Sequence, residues 1–188
     1  MSDIVKMREL IHPQAIVKQF QDPYGKNEVE LVEDKNPSSK IRIAGIPDNS
    51  LIINLDDYFC EPDQIFAGNK NECCRADYIL ISANGNDRQI VFIELKGTDD
   101  DNSHIRKQLL GAECFSLYCA SILGVFWKYK IPLNQYRKHF VCCKYTCSAA
   151  RSTAYDPQAS SNDTVDKMLI LVGSHTFQYN QFIARKPK

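Results

Sequence analysis

The chain has 188 residues, of which 44% are hydrophobic, 10% aromatic and 24% charged, and its formal net charge is zero. This composition is typical of one globular domain with a sizeable core, and it excludes a disordered chain. The net charge selects no class of partner. Acids nevertheless outnumber Lys and Arg in the first hundred residues, and the reverse holds afterwards. This asymmetry indicates either a metal pocket facing an anion-binding surface or ordinary variation along a chain.

The N-terminal residues and the longest apolar stretch indicate the cellular compartment of the protein. The start, "MSDIVKMREL", has no signal-peptide pattern, and the apolar-rich stretch at 114–127 is shorter than the roughly 20 residues that span a bilayer. We therefore expect a cytoplasmic, soluble protein with no membrane partner.

Eight cysteines are present, and without a secretory signal we expect free thiols, mostly in the core. Their spacing does not match the CxxC pattern of zinc sites. A zinc or iron–sulfur site remains a weaker alternative, built from Cys73, Cys74, Cys142, Cys143 and Cys147.

The first half of the chain contains helical and strand signals. Residues 4–20 predict two short helices separated at His12-Pro13, because Pro suits a first helical position. "KIRIAG" (40–45) and "SLIINLDDY" (50–58) alternate apolar and polar residues around turn residues, which predicts a hairpin between them.

A second hairpin and a long helix follow. "CRADYILIS" (74–82) and "IVFIELKG" (90–97) flank an Asn-Gly turn, which predicts an antiparallel pair. Acids and a serine then precede a periodic apolar stripe, which predicts a helix over 103–125.

Two further strands are predicted in "HFVCCKYTC" (139–147) and "KMLILVG" (167–173). The predicted fold is α/β, a mixed central β-sheet flanked by helices, in a single domain over 1–188 whose basic, loop-containing C-terminal part is 126–188.

Charged side chains are expected to meet at one end of the second hairpin. Strand residues two apart share a face, so Glu94 and Lys96 point the same way, and strand pairing would bring Asp77 close to Glu94. Two adjacent carboxylates repel each other unless a cation lies between them, which favours Mg²⁺ or Mn²⁺. A lysine beside that ion predicts metal-assisted phosphodiester hydrolysis. The alternative is a solvated strand end with a weak ion pair.

This pattern, Asp77 followed after 16 residues by Glu94-Leu95-Lys96, resembles the Asp…Glu-x-Lys signature of the PD-(D/E)XK nuclease superfamily. The resemblance, which covers residues 73–125, implies a restriction-endonuclease-like fold. It implies that Asp77, Glu94 and the Leu95 backbone carbonyl bind the metal and that Lys96 assists the attacking water. Gln108 on the following helix is similar to a glutamine of the recombination and repair branch, and would complete the catalytic set.

The chain departs from the family pattern at two points and leaves a third undecided. Ala76 precedes Asp77 where proline is common, and Ala112 stands where some members have tyrosine. The glutamate that many members carry on their first helix is Glu9 or Glu28, and the sequence leaves that choice open.

The expected partner is nucleic acid, and the resemblance favours DNA over RNA. Arg106 and Lys107 are candidate phosphate contacts, and a basic track would extend through Arg137, Lys138, Lys144 and Arg151. A homodimer is compatible with the family. The alternative function is a catalytically inactive nuclease-fold module for nucleic-acid binding or assembly.

Overall fold

A computed structural model describes residues 2–33, 36–58, 66–97, 101–145, 161–173 and 175–183. Within these ranges the helices are α1 (Asp3–Leu10), α2 (Asn102–Phe126) and α3 (Tyr179–Phe182). The strands are β1 (Phe20–Gln21), β2 (Asn27–Glu33), β3 (Asn36–Ile46), β4 (Ser50–Asn54), β5 (Tyr78–Asn84), β6 (Asp87–Lys96), β7 (Arg137–Tyr145), β8 (Leu169–Gly173) and β9 (Thr176–Gln178).

The central sheet has the order β4-β5-β6-β7-β8. Its first three strands are antiparallel neighbours, whereas β7 and β8 run parallel to β6. The predicted hairpin at the Asn-Gly turn is confirmed, with Asn84 opposite Asp87. The long α2 supplies the crossover that a parallel pair requires between β6 and β7.

The outer sheet has the order β1-β2-β3-β9, with β9 parallel to β3. The hairpin predicted between 40–45 and 50–58 is therefore wrong, because β3 and β4 belong to different sheets. Gly45 takes a φ of 74°, which favours glycine, and the chain crosses from one sheet to the other just after it. Ile41 of β3 and Ile52 of β4 then lie in one buried apolar cluster between the two sheets.

The N-terminal segment forms α1 but not a second α-helix. Ser2 caps α1 by accepting a hydrogen bond from the backbone N–H of Val5 at 3.3 Å. After His12 the chain makes one 3-10 turn, Pro13–Ala15. It then runs extended, with the Val17 N–H donating to the Ile52 carbonyl, so the sheet captures the residues predicted as helical.

The helix predicted over 103–125 is confirmed as α2. Asp101 caps it, since its carboxylate accepts from the Ser103 N–H at 2.9 Å. By length and composition α2 could also cross a membrane, a test that the core helix of a soluble protein passes as well. Its buried stripe packs on the central sheet and consists of Ile105, Leu109, Ala112, Ser116, Cys119 and Leu123.

The described residues thus form three layers, with α1 and α2 on one face of the central sheet and the outer sheet with α3 on the other. Alternate residues of β5 divide between the two interfaces, because Ile79 and Ile81 pack with the helices while Tyr78 and Leu80 pack with the outer sheet. The α/β class with a mixed central sheet flanked by helices is confirmed. The second sheet on the opposite face was not predicted.

Candidate functional site

The carboxylates of Asp77 and Glu94 meet where β5 begins and β6 ends. The last residues paired through their backbones there are Tyr78 and Ile93. Beyond this pair, hydrogen bonds between side chains and backbone N–H groups link the two strands. The Leu95 N–H donates to Asp77 Oδ2 at 2.6 Å, and the Asp77 N–H donates to Glu94 Oε2 at 3.2 Å. Each acid therefore accepts a backbone hydrogen bond from the strand that carries the other, which sets their mutual position.

Lys96 completes this group on the same face of β6. Its Nζ lies 2.8 Å from Glu94 Oε1. The Glu94 side chain is 0% exposed and that of Lys96 16% exposed, so the ion pair is largely shielded from water. The prediction from residue spacing that Asp77, Glu94 and Lys96 lie close together is confirmed.

The group faces the helix layer. Glu94 follows Ile90 and Phe92 on β6, and both of these pack in the cluster that contains the buried stripe of α2. Asp77 likewise precedes Ile79 at a spacing of two residues. The two acids are therefore interior side chains at a sheet end, and the predicted alternative of a solvated strand end is wrong.

Burial raises the pKa of Asp77 to about 7. The hydrogen bond from Leu95 and the positive charge of Lys96 act against that rise, while the charges of Asp56 and Glu33 add to it. Burial therefore favours the protonated form of Asp77 when no cation is bound.

Burial also raises the pKa of Glu94, to about 8, and the negative charge of Asp77 adds to the effect. The ion pair with Lys96 lowers the pKa of Glu94 without offsetting burial. Such paired, shifted carboxylates are typical of functional sites, where a ligand compensates the cost of ionisation.

The acids that accompany Asp77 are not the two named from the sequence. Glu9 pairs with Lys6 on α1, and Glu28 pairs with Arg42 at the far end of β2. Asp56 and Glu33 are instead the acids whose charges act on Asp77.

Hydrogen bonds explain how Asp56 and Glu33 reach this region. The Leu55 N–H donates to the Asp77 carbonyl at 2.8 Å, which places Asp56 beside it. Tyr78 Oη donates a hydrogen bond to the Val32 carbonyl, which places Glu33 at the same end of the central sheet. Both positions depend on contacts between layers, which no local pattern in the sequence reveals.

A second lysine lies beside the site. Lys144 on β7 is the register partner of Lys96, and Cys142 is the partner of Glu94. Since Lys144 and Cys142 are two residues apart, they share the helix-facing side. Sequence analysis assigned Lys144 only to a general basic track, because the parallel register between β6 and β7 cannot be read from either strand alone.

Gln108 lies in the second turn of α2, next to the buried Leu109. Its Oε1 is buried and has no hydrogen-bond partner within the described ranges. Neighbouring Arg106 is half-buried, whereas Lys107 is exposed and lines a cavity beside α2. The structure gives no direct contact between these three side chains and the two acids.

Two carboxylates and one backbone carbonyl are the donors that the predicted metal would find at this sheet end. No group of three or more His, Cys, Asp and Glu side chains in the described part of the chain is arranged to hold an ion. Mg²⁺, however, often binds through only one or two carboxylates and keeps its waters. The Leu95 N–H faces Asp77, and its carbonyl lies on the same edge of the extended strand. Asp77, Glu94 and this carbonyl therefore fit Mg²⁺ or Mn²⁺ in type.

The cysteines do not assemble in a comparable way. Cys142 packs in the helix-side cluster and Cys143 in the outer-sheet cluster, so the two cannot bind one ion. Cys73 and Cys74 are half-buried beside α2, and Cys147 lies outside the described residues. A cysteine metal site is therefore not supported.

Comparison with known proteins identifies no relative: no family model, no curated protein and no solved structure matches the chain. Any function must therefore be argued from the site itself.

Proposed function

We propose that this protein is a Mg²⁺- or Mn²⁺-dependent nuclease that hydrolyses phosphodiester bonds, with DNA as the expected substrate. The observation that carries the proposal is the convergence of Asp77, Glu94 and Lys96 at one buried sheet end. The order of hairpin and helix agrees with the PD-(D/E)XK resemblance, and a restriction-endonuclease-like fold is part of the proposal.

Each residue has a distinct role in this proposal. Asp77 and Glu94 supply carboxylate oxygens, and their raised pKa values favour binding of a compensating cation. When bound, the metal would polarise the phosphate and lower the pKa of a bound water. Lys96, held 2.8 Å from Glu94, would orient the attacking water or stabilise charge that develops on the phosphate. Gln108 would hydrogen-bond a group in the site through its buried Oε1.

A catalytically inactive nucleic-acid-binding or assembly module is the alternative. The observation that favours it is that both acids already have internal partners, in the two backbone N–H groups and Lys96. Because the acids already have these partners, they need no bound ion, and their role could be limited to holding β5 against β6.

A cleavage assay separates these functions. Purified protein is incubated with supercoiled, linear duplex and single-stranded DNA and with RNA, in Mg²⁺, Mn²⁺ or EDTA. We expect cleavage with either metal, none in EDTA, and a fall in kcat of about 100-fold for Lys96→Ala, because it removes a charge-stabilising group.

The matched control is Lys128→Ala, because Lys128 is an exposed lysine just beyond the C-terminal end of α2. It should cleave at the wild-type rate. Metal-independent cleavage would contradict the proposed metal dependence, and a Lys96→Ala protein as active as wild type would contradict the proposed role of Lys96. The absence of any cleavage by wild type would favour the inactive module.

A further inference from the structure

A cavity of about 780 Å³ lies between the loop that precedes β5 and the outer side of α2. Its volume is within the range of small-molecule sites, roughly 300–1,000 Å³. Leu110 and Phe115 of α2 form one wall, and Phe66 on the loop and Tyr118 on α2 contribute aromatic rings. Phe66 and Tyr118 are 52% and 59% exposed, so the rings are accessible to a ligand.

Positive charges surround this apolar space. Lys70, Arg75 and Lys107 contribute to its lining. The lining acid Glu72 is turned towards its own loop, where it accepts hydrogen bonds from the N–H groups of Gly68 and Lys70. A flat apolar ligand that carries negative charge therefore matches both the walls and the charges.

Residues that line the cavity are close to the candidate site along the chain and through one backbone hydrogen bond. Arg75 is two residues from Asp77, and the N–H of the lining residue Leu55 donates to the Asp77 carbonyl at 2.8 Å. Lys107 is adjacent to Gln108 on α2. The loop that forms one cavity wall thus leads into Asp77, so a ligand in the cavity and a phosphate at the acid pair would contact neighbouring residues of the same loop.

We propose that this cavity binds an unpaired nucleobase next to the phosphate being cleaved, so that the substrate is single-stranded or locally unpaired nucleic acid. This inference rests on the proposed nuclease function. Bases stack on aromatic rings regardless of sequence, while cations hold the flanking phosphates. A base within a duplex is already stacked and paired, and must be unpaired before it can enter such a cavity.

The test measures binding without cleavage. Fluorescence anisotropy in EDTA compares a labelled dT12 strand with the dT12·dA12 duplex. We expect wild type to bind dT12 more tightly, and the Phe66→Ala/Tyr118→Ala double variant to lose about tenfold in affinity for dT12 through lost stacking. Lys107→Glu should weaken the same interaction by opposing the phosphates.

The control is Phe126→Ala, since Phe126 is 76% exposed at the C-terminal end of α2 and does not line the cavity. It should bind dT12 like wild type. All these residues are exposed, so thermal unfolding should show every variant folded. Duplex binding as tight as dT12 binding, or a double variant equal to the control, would overturn the inference.

The two proposals fail in different ways. If wild type cleaves in a metal-dependent way while the double variant binds dT12 as wild type does, the cavity proposal is wrong and the nuclease proposal stands. If the double variant loses dT12 binding and wild type does not cleave with any metal, the nuclease proposal is wrong. The cavity is then supported as a site for unpaired nucleotides.

Discussion

Asp77 and Glu94 are buried acids whose hydrogen bonds do not fully offset the loss of water. Burial raises the pKa of Asp77 to about 7 and that of Glu94 to about 8. These two acids therefore bind protons more tightly in the folded state than in the unfolded chain, so their contribution to metal-free stability is most favourable below the ordinary carboxyl pKa values, near 4. That contribution should fall as the pH rises towards 8.

Substitution of Asp77 by asparagine removes one of these charges and keeps an oxygen that can accept from the Leu95 N–H. In EDTA at pH 8.5 we expect Asp77→Asn to increase the free energy of unfolding by about 2–4 kcal/mol, and at pH 4 to change it little. Urea unfolding at both pH values measures the difference.

The control for this pair of measurements is Asp166→Asn, because Asp166 is an exposed acid. It should match wild type at both pH values. A stability difference between Asp77→Asn and wild type that does not grow from pH 4 to pH 8.5, or an Asp77→Asn protein less stable than wild type at pH 8.5, would show that the fold does not oppose ionisation of Asp77.

The sequence could predict the trio of Asp77, Glu94 and Lys96 because its geometry is local. A tight turn at Gly85-Asn86 joins the two paired strands, and the two-residue period of a strand determines which side chains share a face. Asp56 and Lys144 could not be predicted in the same way. The first depends on the Leu55–Asp77 hydrogen bond and the second on the register of a parallel pair separated by α2.

Gly111 is a point of close approach between α2 and the loop before β5. A Cβ at Gly111 would lie 1.8 Å from the Cys74 carbonyl oxygen, a backbone atom that cannot move without shifting the loop. That loop leads directly to Asp77, and it forms one wall of the cavity. The absence of a side chain at Gly111 thus sets the distance between α2 and the start of β5.

Two glycines of α2 make a matched pair of substitutions. We expect Gly111→Ala to lower the free energy of unfolding by about 1–3 kcal/mol through overpacking. Gly124→Ala should raise it by about 0.5–1 kcal/mol, because a Cβ at Gly124 meets nothing within 4 Å and alanine favours a helix. Urea unfolding of both proteins checks the signs, and a stabilising Gly111→Ala would show that the loop adapts freely.

The elements that sequence analysis predicted well are those with local signals. The hairpin of β5 and β6 has its turn dipeptide, and α2 has an acidic cap and an apolar stripe. The pairing of β3 was predicted wrongly because its alternation fits any neighbouring strand. Its true neighbours, β2 and β9, are selected by burial against the central sheet.

Tyr78 joins the central sheet to the outer sheet. Its Oη donates to the Val32 carbonyl at 2.6 Å and accepts from the Val32 N–H at 3.1 Å. Because Tyr78 follows Asp77 and Val32 precedes Glu33, this link also fixes the outer sheet relative to the candidate site.

Removing that hydroxyl leaves both backbone groups of Val32 without this partner. We expect Tyr78→Phe to lower the free energy of unfolding by about 1–3 kcal/mol. Tyr24→Phe, which alters a tyrosine that is 88% exposed, should have no effect on urea unfolding. Equal stability of the two variants would mean that apolar packing alone holds the layers together.

The parallel pairing of β3 with β9 has a consequence for the time course of folding. It joins residues 42–44 to 176–178, a sequence separation that makes it among the slowest contacts to form. During synthesis β4 to β7 can pair before Phe177 and Phe182 emerge, and the second apolar face of the central sheet then remains incompletely covered. The interval before Phe177 and Phe182 dock is therefore when this apolar face is most open to aggregation.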